Sequence, residues 1–140
     1  MAGCSGVEAT DETIYDIVKQ EIESSGNDAD LNHIDVSQVT NMRELFRDSK
    51  FNGDISEWNV SKVTDMTEMF MNSEFNGDIS KWDVSKVEST ISMFQGSKFN
   101  GDISKWNLSN NGDFSWMVAQ SPLSEKYTLE QLIELKERNK

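Results

Sequence analysis

Apolar residues in this chain return at a long fixed interval. Phe51, Phe75 and Phe99 stand 24 apart, as do Trp58, Trp82 and Trp106, and Phe46, Phe70 and Phe94. The polar positions between them keep the same interval. The segment F-N-G-D-I-S-x-W occurs at 51–58, 75–82 and 99–106, each time followed by Asn or Asp, then Val or Leu, then Ser. A degenerate copy precedes these: Leu31, Ile34, Asp35, Val36 and Val39 lie 24 before Ile55, Trp58, Asn59, Val60 and Val63. Self-similarity at a fixed period of this size marks repeat architectures. The spacing predicts four units, at 27–50, 51–74, 75–98 and 99–122.

Each unit divides in two. Ile55, Trp58, Val60 and Val63 have the L-x-x-L-x-L-x-x spacing of a leucine-rich strand segment, and Trp58-Asn59-Val60 alternates inward and outward as a strand does. Met66, Met69 and Phe70 follow at i, i+3, i+4, the stripe of a short helix. The expected fold is therefore α/β: a short right-handed leucine-rich-repeat solenoid of about four 24-residue units, with a helical cap at each end. Stacking such units buries what one unit cannot. It places Ile34, Trp58, Trp82 and Trp106 in one column, Phe46, Phe70 and Phe94 in a second, and Phe51, Phe75 and Phe99 in a third. A hairpin at each Asn-Gly is rejected, because the residues before Asn52 read as helix and loop, not as an alternating strand. The Asn52, Asn76, Asn100 and Asp54, Asp78, Asp102 columns read as turn chemistry. A calcium ladder of those aspartates is the weaker reading, since calcium loops carry a denser set of acids.

The flanks differ from the repeats. Residues 1–9 read as a flexible tail and 10–26 as an N-terminal capping helix, with Thr10 as its N-cap, Gly26 at its end, and Ile14, Ile17, Val18 and Ile22 on its inner face. Residues 123–140 read as a C-terminal capping helix whose periodic part is 128–138, with Thr128 and Gln131 as a capping box and Leu129, Leu132, Ile133 and Leu135 as its apolar side. Trp116 occupies the position of Glu44, Glu68 and Ser92. It is read as packed beneath the C-terminal segment, with an exposed partner anchor as the alternative.

Composition narrows the function. The 140 residues carry a net charge of −12, with 36% hydrophobic residues. Residues 1–30 alone hold eight acids and one lysine. This balance argues against direct nucleic-acid binding, which needs Lys and Arg for phosphates. Seven Phe and four Trp argue against a disordered acidic chain. No apolar run reaches the roughly 18 residues of a membrane span. The single histidine, His33, and the single cysteine, Cys4, cannot build a Cys/His centre. No nucleophile motif or phosphate-cradling loop is present. The chain is expected to be no enzyme and to use no cofactor or metal.

The segment F-N-G-D-I-S-x-W-[ND]-V-S-K-V-x-x-M-x-x-M-F, carried by Phe51 to Phe70 and again, with Thr90 in place of Met66, by Phe75 to Phe94, resembles the BspA-like leucine-rich repeat family. The resemblance covers about residues 31–121. It implies a non-enzymatic module that binds a protein partner, of a kind found on bacterial surfaces, often lipid-anchored or secreted; a free-standing bacterial or mobile-element protein is the other expectation. With no apolar leader before it, the chain is expected to be soluble or cytoplasmic as written. Cell-surface or secreted placement is expected if Ala2-Gly3-Cys4 is the remnant of a lipoprotein signal. A monomer is expected.

In a leucine-rich solenoid the residues between inward strand positions form an exposed sheet face. The candidate partner-binding residues are accordingly Asp35, Gln38, Glu57, Asn59, Lys62, Lys81, Asp83, Lys86, Lys105 and Asn107, together with Trp116 as the possible anchor. Two other readings compete. An acidic protein can mimic nucleic acid and block a DNA- or RNA-binding protein, with Asp11, Glu12, Asp16, Glu21, Glu23, Asp65, Glu68, Glu88 and Asp113 supplying the charge. The chain can also be a structural surface or adhesion fragment.

Overall fold

A computed structural model describes residues 7–138. Its regular elements are few: β1 (Val7–Glu8), α1 (Ile14–Ser25), β2 (Ile34–Asp35), α2 (Leu123–Lys126) and α3 (Leu129–Arg138). β1 and β2 form a two-stranded parallel pair, Val7 opposite Ile34 and Glu8 opposite Asp35. This corrects the expected α/β leucine-rich-repeat solenoid. Between β2 and α2 the described residues form neither a strand nor a helix, only turns, bends and isolated bridges.

The local chemistry explains the difference. Along the expected strand, side chains bind the backbone two residues ahead. Asp54 Oδ1 accepts the Ser56 N–H (2.9 Å) and Asn59 Oδ1 accepts the Ser61 N–H (3.1 Å). The Trp58 and Val63 N–H groups then close turns onto the Ile55 and Val60 carbonyls. These bonds bend the backbone out of extended geometry. Within the expected helix Glu68 is left-handed (φ 56°), which no α-helix accommodates, and Asn72 just past it is left-handed too (φ 55°). The same conformation recurs at Glu44 and Asp48, at Ser92 and Gly96, and at Trp116 and Gln120.

The 24-residue period persists as a contact register. Met42, Met66 and Thr90 donate their N–H groups to the carbonyls of Asp65, Ser89 and Asp113 (2.9–3.0 Å). Asn41, Asp65, Ser89 and Asp113 are joined by successive parallel bridges. Asn76 and Asn100 N–H groups reach Asn52 and Asn76 Oδ1 at 2.7 and 2.8 Å.

The core lies between these rows. Ile34, Phe46, Phe51, Trp58, Phe70, Phe75, Trp82, Phe94, Phe99 and Trp106 are all buried. Phe46, Phe70 and Phe94 stack nearly parallel at 5.5 and 5.7 Å, and Phe51, Phe75 and Phe99 at 6.1 and 6.2 Å. The buried indoles are also satisfied as donors: Trp58, Trp82 and Trp106 Nε1 reach the Leu31, Ile55 and Ile79 carbonyls at 2.9–3.1 Å. The departures from the repeat compensate one another. Thr90 stands where Met66 does and Asn111 where Val87 does, and Asn111 Nδ2 donates to Thr90 Oγ1 at 2.8 Å. Thr90 Oγ1 in turn faces Met117 Sδ at 3.2 Å.

The flanks differ from expectation in detail. The expected tail 1–9 is paired where it is described, since Val7 donates to the His33 carbonyl and buried Ala9 to that of Asp35. Its residues 1–6, with Cys4, lie outside the described residues. α1 begins at Ile14, not Thr10, because Thr10 closes a preceding turn with Thr13. Asp11 accepts the Thr40 hydroxyl (2.6 Å) and the Thr40 and Asn41 N–H groups instead of serving the helix. Ile14 and Val18 are buried, and Ile17 and Ile22 pack partly against the core. Within the expected cap 123–140, α3 occupies the span read as helix over 128–138, but the short α2 precedes it as a separate helix, and residues 139–140 lie outside the described residues. Thr128 and Gln131 do form a capping box ahead of α3: the Thr128 N–H reaches Gln131 Oε1 at 2.9 Å, and the Gln131 N–H reaches Thr128 Oγ1 at 3.3 Å.

The aspartates of these turns make stability depend on acid. Asp78, Asp83, Asp102 and Asp113 are held below the ordinary carboxylate value of 3.8, first by the serine hydroxyl two residues on and then by its N–H. At Asp54 the Ser56 N–H is the larger cause. A depressed folded pKa stabilises the fold above the unfolded value and loses that contribution as pH falls through the folded one. Melting temperature is thus expected to be insensitive to these groups above about pH 5, and to fall as pH drops through 3.8 and below. The triple variant D54N/D78N/D102N should lose less than the parent over that acid window, because Asn keeps the accepting oxygen without the titration, as Asn59 and Asn107 already do. Thermal melts followed by tryptophan fluorescence, from pH 7 to 2.5, check this. An identical acid loss in parent and variant would refute it.

Candidate functional site

The turn segments set the side chains between the core columns outward. Asp35, Gln38, Glu57, Asn59, Lys62, Lys81, Asp83, Lys86 and Lys105 are exposed, and Asn107 is half-buried. Only Asp35 of this set lies in a strand, so the surface is not the sheet face expected. Its members divide by role. Asp35, Asn59, Asp83 and Asn107 each spend Oδ1 on the N–H of the serine two residues ahead (2.9–3.1 Å). They hold turns. Lys62 Nζ reaches Gln38 Oε1, one period away, at 3.2 Å. Lys81, Lys86 and Lys105 make no ion pair among the described residues. Ser56, Glu57, Asp78 and Lys81 line one shallow polar recess, and Thr64, Lys86, Glu88, Asn110 and Gly112 line another. Neither recess has a large hydrophobic residue in its lining.

Trp116 is different. It is 69% exposed, so the reading that packs it beneath the C-terminal segment is corrected. The cause is where α2 and α3 settle. Tyr127 Oη accepts the Ile103 N–H, Lys126 Nζ reaches the Asn100 carbonyl, and Arg138 reaches the Ser104 carbonyl. These bonds hold the C-terminal segment against residues 100–104 and leave Trp116 exposed. Leu132 and Leu135 of α3 are buried, while Leu129 is 66% exposed. Trp116, Phe114, Val118, Leu129 and Leu132 line an open apolar recess of about 410 Å³, together with Gly112 and Asp113. Sequence reasoning missed Leu129 as part of a surface. Its only signal is that Leu129, Leu132, Ile133 and Leu135 span more of a ten-residue helix than one buried stripe can cover.

Five of the acids proposed for nucleic-acid mimicry have partners within the chain. Asp11 is bound to Thr40 and Asn41, Glu21 to His33, Asp65 to the Thr67 N–H, Glu68 to Arg47, and Asp113 to Ser115. Among the described residues, no group of three or more histidine, cysteine, aspartate or glutamate side chains stands close enough to hold a metal ion. No helix among them is long and apolar enough to cross a membrane.

No curated protein and no solved structure matches this chain. A family model does match, over residues 15–130, which takes in α1 from its second residue, the whole periodic region, α2 and the start of α3. The chain therefore belongs to the family described as "Mycoplasma protein of unknown function, DUF285".

Proposed function

We propose that the protein is a non-enzymatic protein-binding module of the BspA-like repeat type, and that it engages its partner through the apolar recess around Trp116 and Leu129. The carrying observation is the exposure of Trp116. Phe46, Phe51, Phe70, Phe75, Phe94, Phe99, Trp58, Trp82 and Trp106 all lie in the buried core, yet Trp116 stands 69% in solvent beside Leu129, 66% exposed. Tryptophan in a recess is the residue type that most often dominates binding energy at protein interfaces, and an exposed apolar cluster on a polar surface is the usual mark of such a site. The lysine-bearing face, which has no apolar centre, fits the polar rim of an interface.

A displayed random-peptide library panned on the immobilised protein tests this. Selected peptides should lose about thirtyfold or more in affinity for Trp116→Ala, the about 2 kcal/mol loss that defines a hot spot. The variant should melt within the ±0.5 kcal/mol expected of a surface change. Selected peptides that bind Trp116→Ala and Leu129→Ala as well as the parent, but fail on Lys81→Glu/Lys105→Glu, would move the site to the lysine face. A library that yields no binder would count against the recess altogether.

A further inference from the structure

The recess has a polar wall whose chemistry names the occupant. Through the periodic region, alternate N–H groups of each turn segment donate to the carbonyls of the segment one period on. Thr90, Ser92, Phe94 and Gly96 donate to Asp113, Ser115, Met117 and Ala119 at 2.8–3.0 Å, as Met66, Glu68, Phe70 and Asn72 do to Ser89, Ile91, Met93 and Gln95. The corresponding donors of the last segment are Phe114, Trp116, Val118 and Gln120. None of these four N–H groups has an acceptor among the described residues. The residues between them are internally satisfied: the Ser115 N–H by Asp113 Oδ1, Met117 by the Phe114 carbonyl and Ala119 by the Trp116 carbonyl. The segment is thus an open edge with donors at every second residue, and the Trp116 and Leu129 side chains stand beside it.

We infer that the occupant of the recess is a segment of another protein that lies along residues 114–120, presents main-chain carbonyls at alternate residues to these four N–H groups, and places an apolar side chain against Trp116 and Leu129. This rests on the recess being the docking site. Main-chain pairing along an open edge supplies affinity, and pockets for alternate side chains supply selectivity. Two features narrow the occupant further. A second copy of this chain does not fit: its own matching edge offers donors to donors. On its opposite edge the Arg43 carbonyl is already taken by Tyr15 Oη, and Tyr15, Val18 and Ile22 of α1 line a recess there with Leu45 and Ser49. Charge favours a neutral or basic segment, since Asp113 lines the recess, Glu130 follows Leu129 in α3, and the whole chain carries −12.

Amide hydrogen exchange by NMR tests this with the tightest library peptide whose binding depends on Trp116. In the free protein the N–H groups of Phe114, Trp116, Val118 and Gln120 should exchange fast. With the peptide bound they should slow by roughly tenfold or more, while Met117 and Ala119, already bonded, change far less. A peptide that perturbs the Trp116 indole but leaves those four amides exchanging freely would overturn the main-chain pairing and leave the apolar site standing. Uniform slowing of 114–120 without alternation would also overturn it. If no Trp116-dependent peptide is found, the docking site and the pairing fall together.

Discussion

Replacing Trp82 with alanine is expected to destabilise the fold by about 3–5 kcal/mol, the usual cost of emptying a buried large aromatic site. Trp82 is 4% exposed, stacks on Trp58 at 6.4 Å with the planes 6° apart, and meets Phe70 at 6.3 Å. Two mechanisms could cost stability, and the geometry separates them. Losing the indole donor is the smaller one, because the Ile55 carbonyl that accepts it at 3.1 Å also accepts the Trp58 N–H at 3.2 Å and is not left bare. Losing the ring is the larger, since each neighbouring aromatic pair adds about 0.5–1.5 kcal/mol beyond area burial, and the column cannot close over a gap in its middle while backbone bonds hold its flanks in register. Trp82→Phe, which keeps an aromatic surface and drops the donor, should therefore lose clearly less than Trp82→Ala. Urea unfolding of the three proteins measures this. A loss below 1 kcal/mol for the alanine variant would show that the column is not what holds these segments together.

That column is also the part of the molecule most legible in the chain. Phe46, Phe70 and Phe94, or Trp58, Trp82 and Trp106, repeat because each pass of the backbone meets the same buried environment, and burial selects residue type strongly. Backbone geometry left a weaker trace. The Met66, Met69, Phe70 stripe reads as helix from spacing alone, yet its apolar residues are buried from a backbone that turns left-handed at Glu68 and Asn72. One of those two columns did carry a signal. Asp48, Asn72 and Gly96 are residue types that tolerate positive φ, and their shared interval marks a left-handed site. The other column, Glu44, Glu68, Ser92 and Trp116, has no such composition and could not be read. The pairs Asp54/Ser56 and Asn59/Ser61 likewise announce turns within a segment whose apolar spacing reads as strand. At the site the difficulty was of another kind. Whether Trp116 is covered depends on where α2 and α3 dock. That is decided by long-range bonds from Lys126, Tyr127 and Arg138 to residues 100–104, which no local pattern announces.

The second large effect is expected at Gly53, and its cause is space, not conformational freedom. A Cβ there would lie 1.9 Å from the Ala29 carbonyl oxygen and 2.7 Å from the Phe51 ring. Backbone is the obstruction, so a side-chain rotation cannot relieve it. The segments are pinned on both sides, by the Asn52 N–H on the Asn27 carbonyl at 2.7 Å and the Asp54 N–H on the Ala29 carbonyl at 3.0 Å. Gly53→Ala must break that register or compress it, and is expected to cost about 3 kcal/mol, the upper part of the range for inserted methyl groups. Gly112 supplies the control. The nearest atom to a Cβ there is the Glu88 carbonyl oxygen at 3.7 Å, an ordinary contact. Gly112→Ala should stay within about 0.5 kcal/mol of the parent. Chemical denaturation of the two variants side by side distinguishes close backbone approach from a general demand for glycine after asparagine. Equal losses at both positions would mean that the turn itself requires glycine. A loss confined to Gly53 would place residues 27–29 and 52–54 in direct backbone contact, the same kind of edge pairing that residues 114–120 are left to offer to a partner.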